Sequence, residues 1–202
     1  MDSKALWKLT YGLYLLTARE NGKDNGCIIN TAVQVAESPV RISVSVIKEN
    51  KTCDMIKNTG LFNLSSITTG ADFSLFQRFG MQSGRTADKF ENFPNAVRCA
   101  NTIYRLDGCT NAVLTGLVTD QIDLGTHMLF IAEVIDSEVL SDAPSCSYAY
   151  YQTNIKPKPQ AAAGKTKWVC SICGYTHEAE ELPDNFTCPL CNHGKEDFEK
   201  IT

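Results

Sequence analysis

The pattern of hydrophobic and polar residues before residue 154 is mostly that of β-strands, and in Arg41–Ile47 the two kinds of residue largely alternate, as in a half-buried strand. The predicted strands cover Leu6–Thr17, Cys27–Val35, Arg41–Ile47, Phe62–Ile67, Ala112–Thr119 and Met128–Leu140. Two Asn-Gly pairs within Arg19–Gly26 predict a hairpin loop. One helix is predicted to begin at Thr52 and to end at Gly60. Many strands with few helices predict a mainly β fold that forms a barrel.

A segment rich in proline and alanine divides the chain near its C-terminal end. Its two prolines favour extended backbone, and the alanines and glycine after them bring no bulky apolar side chain to bury. We therefore predict a large domain at residues 1–153, a linker at 154–166 and a small domain at 167–202.

The composition is that of a globular protein, with 43% hydrophobic and 21% charged residues. No apolar run reaches the roughly 18 residues that a membrane span needs. Charged residues such as Lys8 and Arg19 interrupt the N-terminal apolar stretch, so we predict a cytoplasmic protein without a signal peptide. An odd number of cysteines, nine, also fits a reducing compartment better than a secreted disulfide framework. Five of these cysteines are scattered, which favours small buried hydrophobes.

The negative charge lies in the tail. Residues 167–202 contain three lysines and seven acidic residues, a net charge of -4, which leaves the first 166 residues neutral. This charge argues against a nucleic-acid partner and suits docking onto a basic patch of another protein. The alternative is that acidic residues such as Glu178, Glu180 and Glu181 only form a solvated surface.

Four cysteines in the tail form the strongest motif of the chain. Cys170, Cys173, Cys188 and Cys191 make two C-x2-C pairs that are separated by fourteen residues. Each pair can present two thiolates from one tight turn, and two facing turns complete a tetrahedral metal site. The spacing alone does not choose between zinc and iron.

The residues around these cysteines resemble the rubredoxin family. The similar stretches are Trp168-Val-Cys-Ser-Ile-Cys-Gly-Tyr175 and Thr187-Cys-Pro-Leu-Cys-Asn192, followed by Lys195 and Phe198. The short separation of the two pairs is similar to that of abbreviated rubredoxin modules fused to larger proteins, such as the tail of rubrerythrin. The resemblance implies one iron bound by the four cysteines, with the aromatic residues forming a small core beneath it.

Three stretches of the large domain resemble the flavin reductase family, which has an FMN-binding split β-barrel. They are Asn25–Ala32, Glu37–Thr52 and Gly125–Val134. The resemblance implies that FMN contacts the following residues: Asn30, Thr31, Ala32, Ser45, Val46, Ile47, Lys51 and Thr52. It also implies a catalytic position for His127, close to the flavin ring and the nicotinamide.

Elementary chemistry is consistent with this assignment. Lys51 and Thr52 stand at the start of the predicted helix, where free N–H groups and the helix dipole favour a phosphate. The alternatives are that Thr52 only caps the helix and that Lys51 is a surface residue. There is no G-x-G-x-x-G or P-loop motif, so no separate nucleotide-binding domain is predicted. Arg85 and Lys89, in a loop that resembles one found in many family members, are hypothesised to admit the nucleotide, although a plain loop is the alternative.

Together the two resemblances predict an NAD(P)H-dependent oxidoreductase, with NADH as donor, that passes electrons through FMN to the iron. The organisation of the chain resembles fusions of a flavin reductase with a rubredoxin. This resemblance implies a redox partner protein, namely a flavodiiron protein that reduces dioxygen or nitric oxide. A homodimer or larger homo-oligomer is expected. Three alternatives stay open: a carrier loaded by another enzyme, a free-flavin or ferric reductase with an accessory tail, and a binding module with structural zinc.

Overall fold

Antiparallel strands dominate the computed structural model, which describes residues 5, 8–157, 167–172, 175–189 and 193–201. The chain divides into two units, Met1–Gln152 and Thr153–Thr202. No helix among these described residues is long and apolar enough to cross a membrane.

The described residues of the first unit form nine strands. They are β1 (Tyr14–Glu20), β2 (Lys23–Ile29), β3 (Ala32–Glu37), β4 (Val40–Ile47), β5 (Leu61–Ile67), β6 (Ala96–Arg98), β7 (Tyr104–Leu106), β8 (Thr110–Asp123) and β9 (His127–Val139). Seven of them form one sheet in the order β2-β1-β5-β8-β9-β4-β3, and β6 pairs with β7. The helices are α1 (Lys51–Thr59), α2 (Phe73–Gly80) and α3 (Tyr148–Tyr150), followed by a π-helical turn at Tyr151–Ile155.

The seven-stranded sheet is curled around one hydrophobic core. Cys27 and Ile29 of β2 belong to the same buried cluster as Val44 and Val46 of β4, although these strands lie near opposite ends of the sheet. Helix α1 adds Met55 and its neighbours to this cluster. The sheet is therefore an open barrel with α1 packed against its core.

Two glycine positions explain local features of the barrel. Asn21 and Gly22 both have positive φ and form a tight turn between β1 and β2, as such hairpins require. At Gly116 a Cβ atom would lie 2.3 Å from the ring of Phe62, so only glycine lets β8 pass this buried aromatic residue.

The mainly β prediction is confirmed, and the predicted strands at Arg41–Ile47 and Phe62–Ile67 agree with β4 and β5 to within one residue. Other boundaries differ. Helix α1 begins at Lys51 with Asn50 as N-cap, so Thr52 is not its cap. The predicted loop is a two-residue turn, because Asn25 and Gly26 already belong to β2 and pair with β1.

The second unit contains a three-stranded sheet of β10 (Lys167–Cys170), β11 (Thr176–Glu178) and β12 (Phe198–Ile201), in the order β11-β10-β12. A 3-10 turn covers Lys195–Asp197. Five of the unit's described residues are buried, namely Val169, Cys170, Leu182, Cys188 and Phe198. Most of the predicted linker, residues 158–166, lies outside the described residues.

Candidate functional site

Strand β4 presents two different faces. Ile42, Val44 and Val46 are buried in the core, whereas Ser45 is half-buried and Ile47 is exposed on the opposite face. Side chains of a strand alternate between faces, so this outer face carries the polar and accessible positions. The side chain of Val46 lies in the core, which leaves only its backbone for a cofactor.

Thr31, between β2 and β3, is held against β4. The backbone N–H of Ser45 donates to the Thr31 carbonyl at 3.2 Å, and the Thr31 hydroxyl donates to the Ser45 carbonyl at 3.0 Å. Ala32 pairs with Val44 in the adjoining register, and Asn30 precedes Thr31 at the end of β2. The structure thus brings the predicted flavin positions of the β2–β3 connection next to those of β4.

His127 is the first residue of β9 and lies directly opposite Ile47 of β4. Its Nδ1 is 2.8 Å from the hydroxyl of Thr126. The turn between β8 and β9 is stabilised by Lys48, whose Nζ lies 2.6 Å from a carboxylate oxygen of Asp123. The hydrogen bonds from Lys48 and the Gly125 N–H lower the pKa of Asp123. His127 is therefore brought to the same end of β4 as Ile47.

Lys51 and Thr52 form the first turn of α1 and differ in accessibility. Thr52 is fully buried, and its hydroxyl accepts a hydrogen bond from the side-chain amide of Asn25 at 3.2 Å. Lys51 is partly exposed, with its Nζ 4.0 Å from Glu20. An anion at this helix start would therefore meet the Lys51 side chain, but only the backbone of Thr52.

A cavity of about 510 Å³ lies beside the helix start. Lys51, Lys23 and Arg85 contribute its basic side chains. Arg85 is fixed by two contacts to the segment around the helix start: its Nε donates to the Glu49 carbonyl at 3.1 Å, and its Nη2 lies 2.7 Å from Asp54. The sequence alone does not predict that Arg85 contacts Glu49 and Asp54, because these contacts depend on how the loop packs.

The hypothesis that Lys89 admits the nucleotide is wrong. This residue is 1% exposed, and its ammonium donates to the carbonyls of Gly26 at 3.0 Å and Phe79 at 3.1 Å. Burial lowers the pKa of Lys89. Lys89 instead joins the loop to β2 and α2, which is a structural role.

Two of the four predicted metal ligands are described. Cys170, at the end of β10, and Cys188 are both fully buried and neither forms a disulfide. Their backbone N–H groups donate at 2.8 Å to the carbonyls of Tyr175 and His193, so each cysteine is bonded to the residue five positions after it. Buried thiols fit an iron or zinc ion as ligands. Cys173 and Cys191 lie outside the described residues, and the described residues alone contain no group of three or more metal-binding side chains.

The scattered cysteines behave as the sequence predicts in three cases. Cys27, Cys53 and Cys146 are each 1% exposed, whereas Cys99 and Cys109 are half-buried. Burial raises the pKa of each of these five thiols, which keeps them protonated and poorly nucleophilic at neutral pH.

Comparisons with known proteins match both units. Residues 6–158 match the model of the flavin reductase like domain, and residues 168–199 match the rubredoxin-like domain of rubrerythrin. The chain is 33% identical to the high molecular weight rubredoxin of Moorella thermoacetica, with 100% of both chains covered. It is 34% identical to the ferric-chelate reductase (NAD(P)H) of Archaeoglobus fulgidus, over 81% of this chain and 96% of that protein.

A solved structure agrees on the barrel. The NADH:FAD oxidoreductase of Streptomyces globisporus is 18% identical and has a TM-score of 0.63, covering 70% of this chain and 82% of that chain. This similarity shows a shared fold for the first unit.

Proposed function

This chain belongs to the flavin reductase-like family and carries a C-terminal rubredoxin-like domain, and we propose that it passes electrons from NAD(P)H, with NADH as the donor, through bound FMN to one iron. The iron would be bound by Cys170, Cys173, Cys188 and Cys191. A bound flavin can accept two electrons at once and release them singly, which suits an iron centre that takes one.

The observation that carries this proposal is that both electron-transfer modules are present in one chain. The full-length similarity to a high molecular weight rubredoxin supports reading them as one protein with a joint function. A tether raises the local concentration of acceptor near donor, so electron transfer does not wait for a diffusional encounter. The proposed domain limits are residues 1–153, 154–166 and 167–202, and the proposed location is the cytoplasm.

The proposed flavin site uses the outer face of β4 and the start of α1. Thr31 and Ser45 form one side of this site, which we call the flavin wall. Two hydrogen bonds between these residues hold the wall together. The Lys51 side chain and the N–H groups of the first turn would hold the phosphate of FMN, because both favour an anion. Since no second nucleotide pocket is required for this arrangement, FMN rather than FAD is proposed.

His127 is proposed to orient the nicotinamide or to stabilise negative charge on the reduced ring. Its position opposite Ile47 brings it beside the proposed flavin wall. Its Nδ1 is engaged by Thr126, which leaves Nε2 as the nitrogen that would face a ligand.

A homodimer is proposed because the outer sheet face is apolar and exposed. Val33 is 61% exposed and Ile122 is 48% exposed. Val33 pairs with Ser43, and Ile122 pairs with Leu129, which itself pairs with Ser45, so these residues share the face that carries the proposed flavin wall. A second copy on this face would cover the apolar side chains and enclose the flavin.

The proposed electron acceptor is a redox partner protein of the flavodiiron class. The second unit supports docking by charge, since Glu180, Glu181, Glu196 and Glu199 are exposed. Association with a basic patch would be fast at low salt and slower at high salt.

An anaerobic titration of the purified protein with NADH, followed by visible absorption, tests the main proposal. We expect the flavin band and the iron–thiolate band to bleach together. Bleaching of the flavin alone would contradict an internal path to the iron. A protein that bleaches in neither band with NADH or NADPH would contradict direct reduction by a nicotinamide and support a carrier that another enzyme loads.

A second candidate function is ferric-chelate or free-flavin reduction. It is favoured by the 34% identity to the ferric-chelate reductase of Archaeoglobus fulgidus, which covers 81% of this chain. The two candidates differ in the need for the tail: Cys170→Ser would abolish reduction of a protein acceptor, but would leave ferric-chelate reduction unchanged. Flavin that is lost on gel filtration would favour the second candidate.

A further inference from the structure

Lys156 contacts the first metal-binding turn. Its Nζ donates hydrogen bonds to the carbonyl oxygens of Ser171 and Ile172, the second at 2.8 Å. Ser171 and Ile172 are the two residues between Cys170 and Cys173. All of them belong to the second unit of the chain. A cationic side chain from the start of the proposed linker is thus hydrogen-bonded to the backbone of the turn that carries Cys170.

We propose that Lys156 is a positioning residue of the iron site that raises its reduction potential. The inference rests on the proposed function, since it requires iron at the four cysteines. Four thiolates give the site a net negative charge, and reduction of the iron adds one more. A nearby ammonium therefore stabilises the reduced state more than the oxidised state. Lys156 is half-buried, so solvent and salt screen this charge less than that of an exposed lysine.

The hydrogen bonds also orient the turn. The carbonyl of Ser171 and the N–H of Ile172 belong to one peptide group, in which the two bonds point in opposite directions. By holding this carbonyl, Lys156 turns the N–H of Ile172 away from itself and frees it for the metal site. Hydrogen bonds to thiolate sulfurs are one of the factors that set the potential of iron–sulfur sites.

Lys167 of the same unit provides a matched comparison. The Nζ of Lys167 lies 3.1 Å from a carboxylate oxygen of Glu178, at the end of β10 away from Cys170. Lys167→Gln removes the same charge as Lys156→Gln but leaves the turn carbonyls untouched. A difference between the two variants therefore reports the contact of Lys156 and not the net charge of the unit.

The experiment is spectroelectrochemistry of the full-length protein at the iron–thiolate band. For Lys156→Gln and Lys156→Met we expect the ratio of reduced to oxidised iron at a fixed potential to fall about tenfold, which is a downward shift of about 59 mV for a one-electron couple. Lys156→Arg, which keeps the charge and the donors, should stay close to wild type, as should Lys167→Gln.

Equal potentials in wild type and in both neutral variants would overturn the inference. So would a shift of the same size in Lys156→Arg or in Lys167→Gln. Neutral variants that take up no iron would also overturn it, because Lys156 would then be needed for folding of the turn rather than for its potential. Wild-type protein that binds zinc instead of iron would contradict the proposed function itself, so the two failures are distinguishable.

Discussion

The barrel unit buries a core of aliphatic and aromatic side chains, whereas the small unit buries five of its described residues, and two of those five are cysteines. Fifteen buried residues form a single cluster in the barrel, with members from both ends of the curled sheet. In the small unit, Cys170 and Cys188 occupy core positions and are also predicted metal ligands. If these cysteines bind the proposed iron, the same thiols serve the core and the chemistry of the small unit.

The two units therefore illustrate two ways of stabilising a fold, namely burial of apolar side chains and binding of a metal. The predicted small domain, residues 167–202, is only 36 residues long. Chains below about 40 residues usually need a metal, a disulfide or a partner, because they bury too little apolar surface. For such a unit the free energy of metal binding is free energy of folding. The barrel buries a large cluster of its own apolar side chains, so we expect it to keep its fold without a cofactor.

The largest expected effect comes from removing two thiols, as in the double variant Cys170→Ser/Cys188→Ser. We expect complete loss of bound iron and of the iron–thiolate absorption, together with unfolding of the small unit. The flavin should still be reduced by NADH, because the barrel does not depend on the metal. Metal analysis, visible spectra and calorimetry measure these effects.

Cys99→Ser is the control for this variant, since Cys99 is a half-buried cysteine of the barrel. It should keep its iron. Iron that persists in the double variant, or a barrel that unfolds with the small unit, would contradict the comparison.

The converse experiment disrupts the barrel core. Phe62 is fully buried and packs where Gly116 leaves room for its ring. Phe62→Ala should lower the free energy of unfolding of the barrel by about 3–5 kcal/mol, through lost burial and a cavity. The iron–thiolate band should remain through the barrel transition in a thermal scan followed at both chromophores.

An exposed apolar residue on the neighbouring strand gives the control. Leu117 of β8 is 44% exposed, and Leu117→Ala should change stability by less than about 0.5 kcal/mol. Loss of the iron band at the same temperature as the barrel in Phe62→Ala would show that the two units do not unfold separately.

A smaller effect is expected at the proposed phosphate position. Lys51→Gln should weaken FMN binding about tenfold, because one charge-assisted contact to the phosphate is lost. The iron potential should not change. Lys57, in the last turn of the same helix, provides the matched control, and Lys57→Gln should bind FMN as wild type does. Flavin fluorescence in equilibrium titrations measures both, and equal affinities for the two variants would exclude Lys51 from the site.

The smallest effect concerns pH. Burial, with the charge of Asp54, raises the pKa of Cys53 from 9.0 to about 11. A thiol whose pKa is raised in the folded state contributes stability that is present below pH 9.0 and is lost as the pH rises through about 11. Between about pH 8 and about pH 10, Cys53→Ala should therefore lose less barrel stability than wild type, by about 1 kcal/mol. Identical pH dependence in denaturant unfolding would contradict this.

Sequence patterns predicted the features that neighbouring residues determine. The alternation in Arg41–Ile47 was enough for β4, and Gly60 marked the end of α1 through its left-handed backbone conformation. Helix α2 was not predicted from the sequence. Its N-cap is Asp72, whose side chain accepts a hydrogen bond from the Ser74 N–H at 3.1 Å. Its eight residues are too few to produce a clear helical period.

Spacing and local chemistry thus determined by themselves the two-part organisation, the mainly β class and the set of four cysteines. Only the tertiary structure decided that Ile47 lies opposite His127, that Lys89 is buried against Gly26 and Phe79, and that Lys156 contacts the metal-binding turn. The physical reason is the separation along the chain of the residues that interact. A strand or a C-x2-C turn is specified by residues a few positions apart, whereas these contacts join distant segments and depend on strand register and on how loops pack against the sheet.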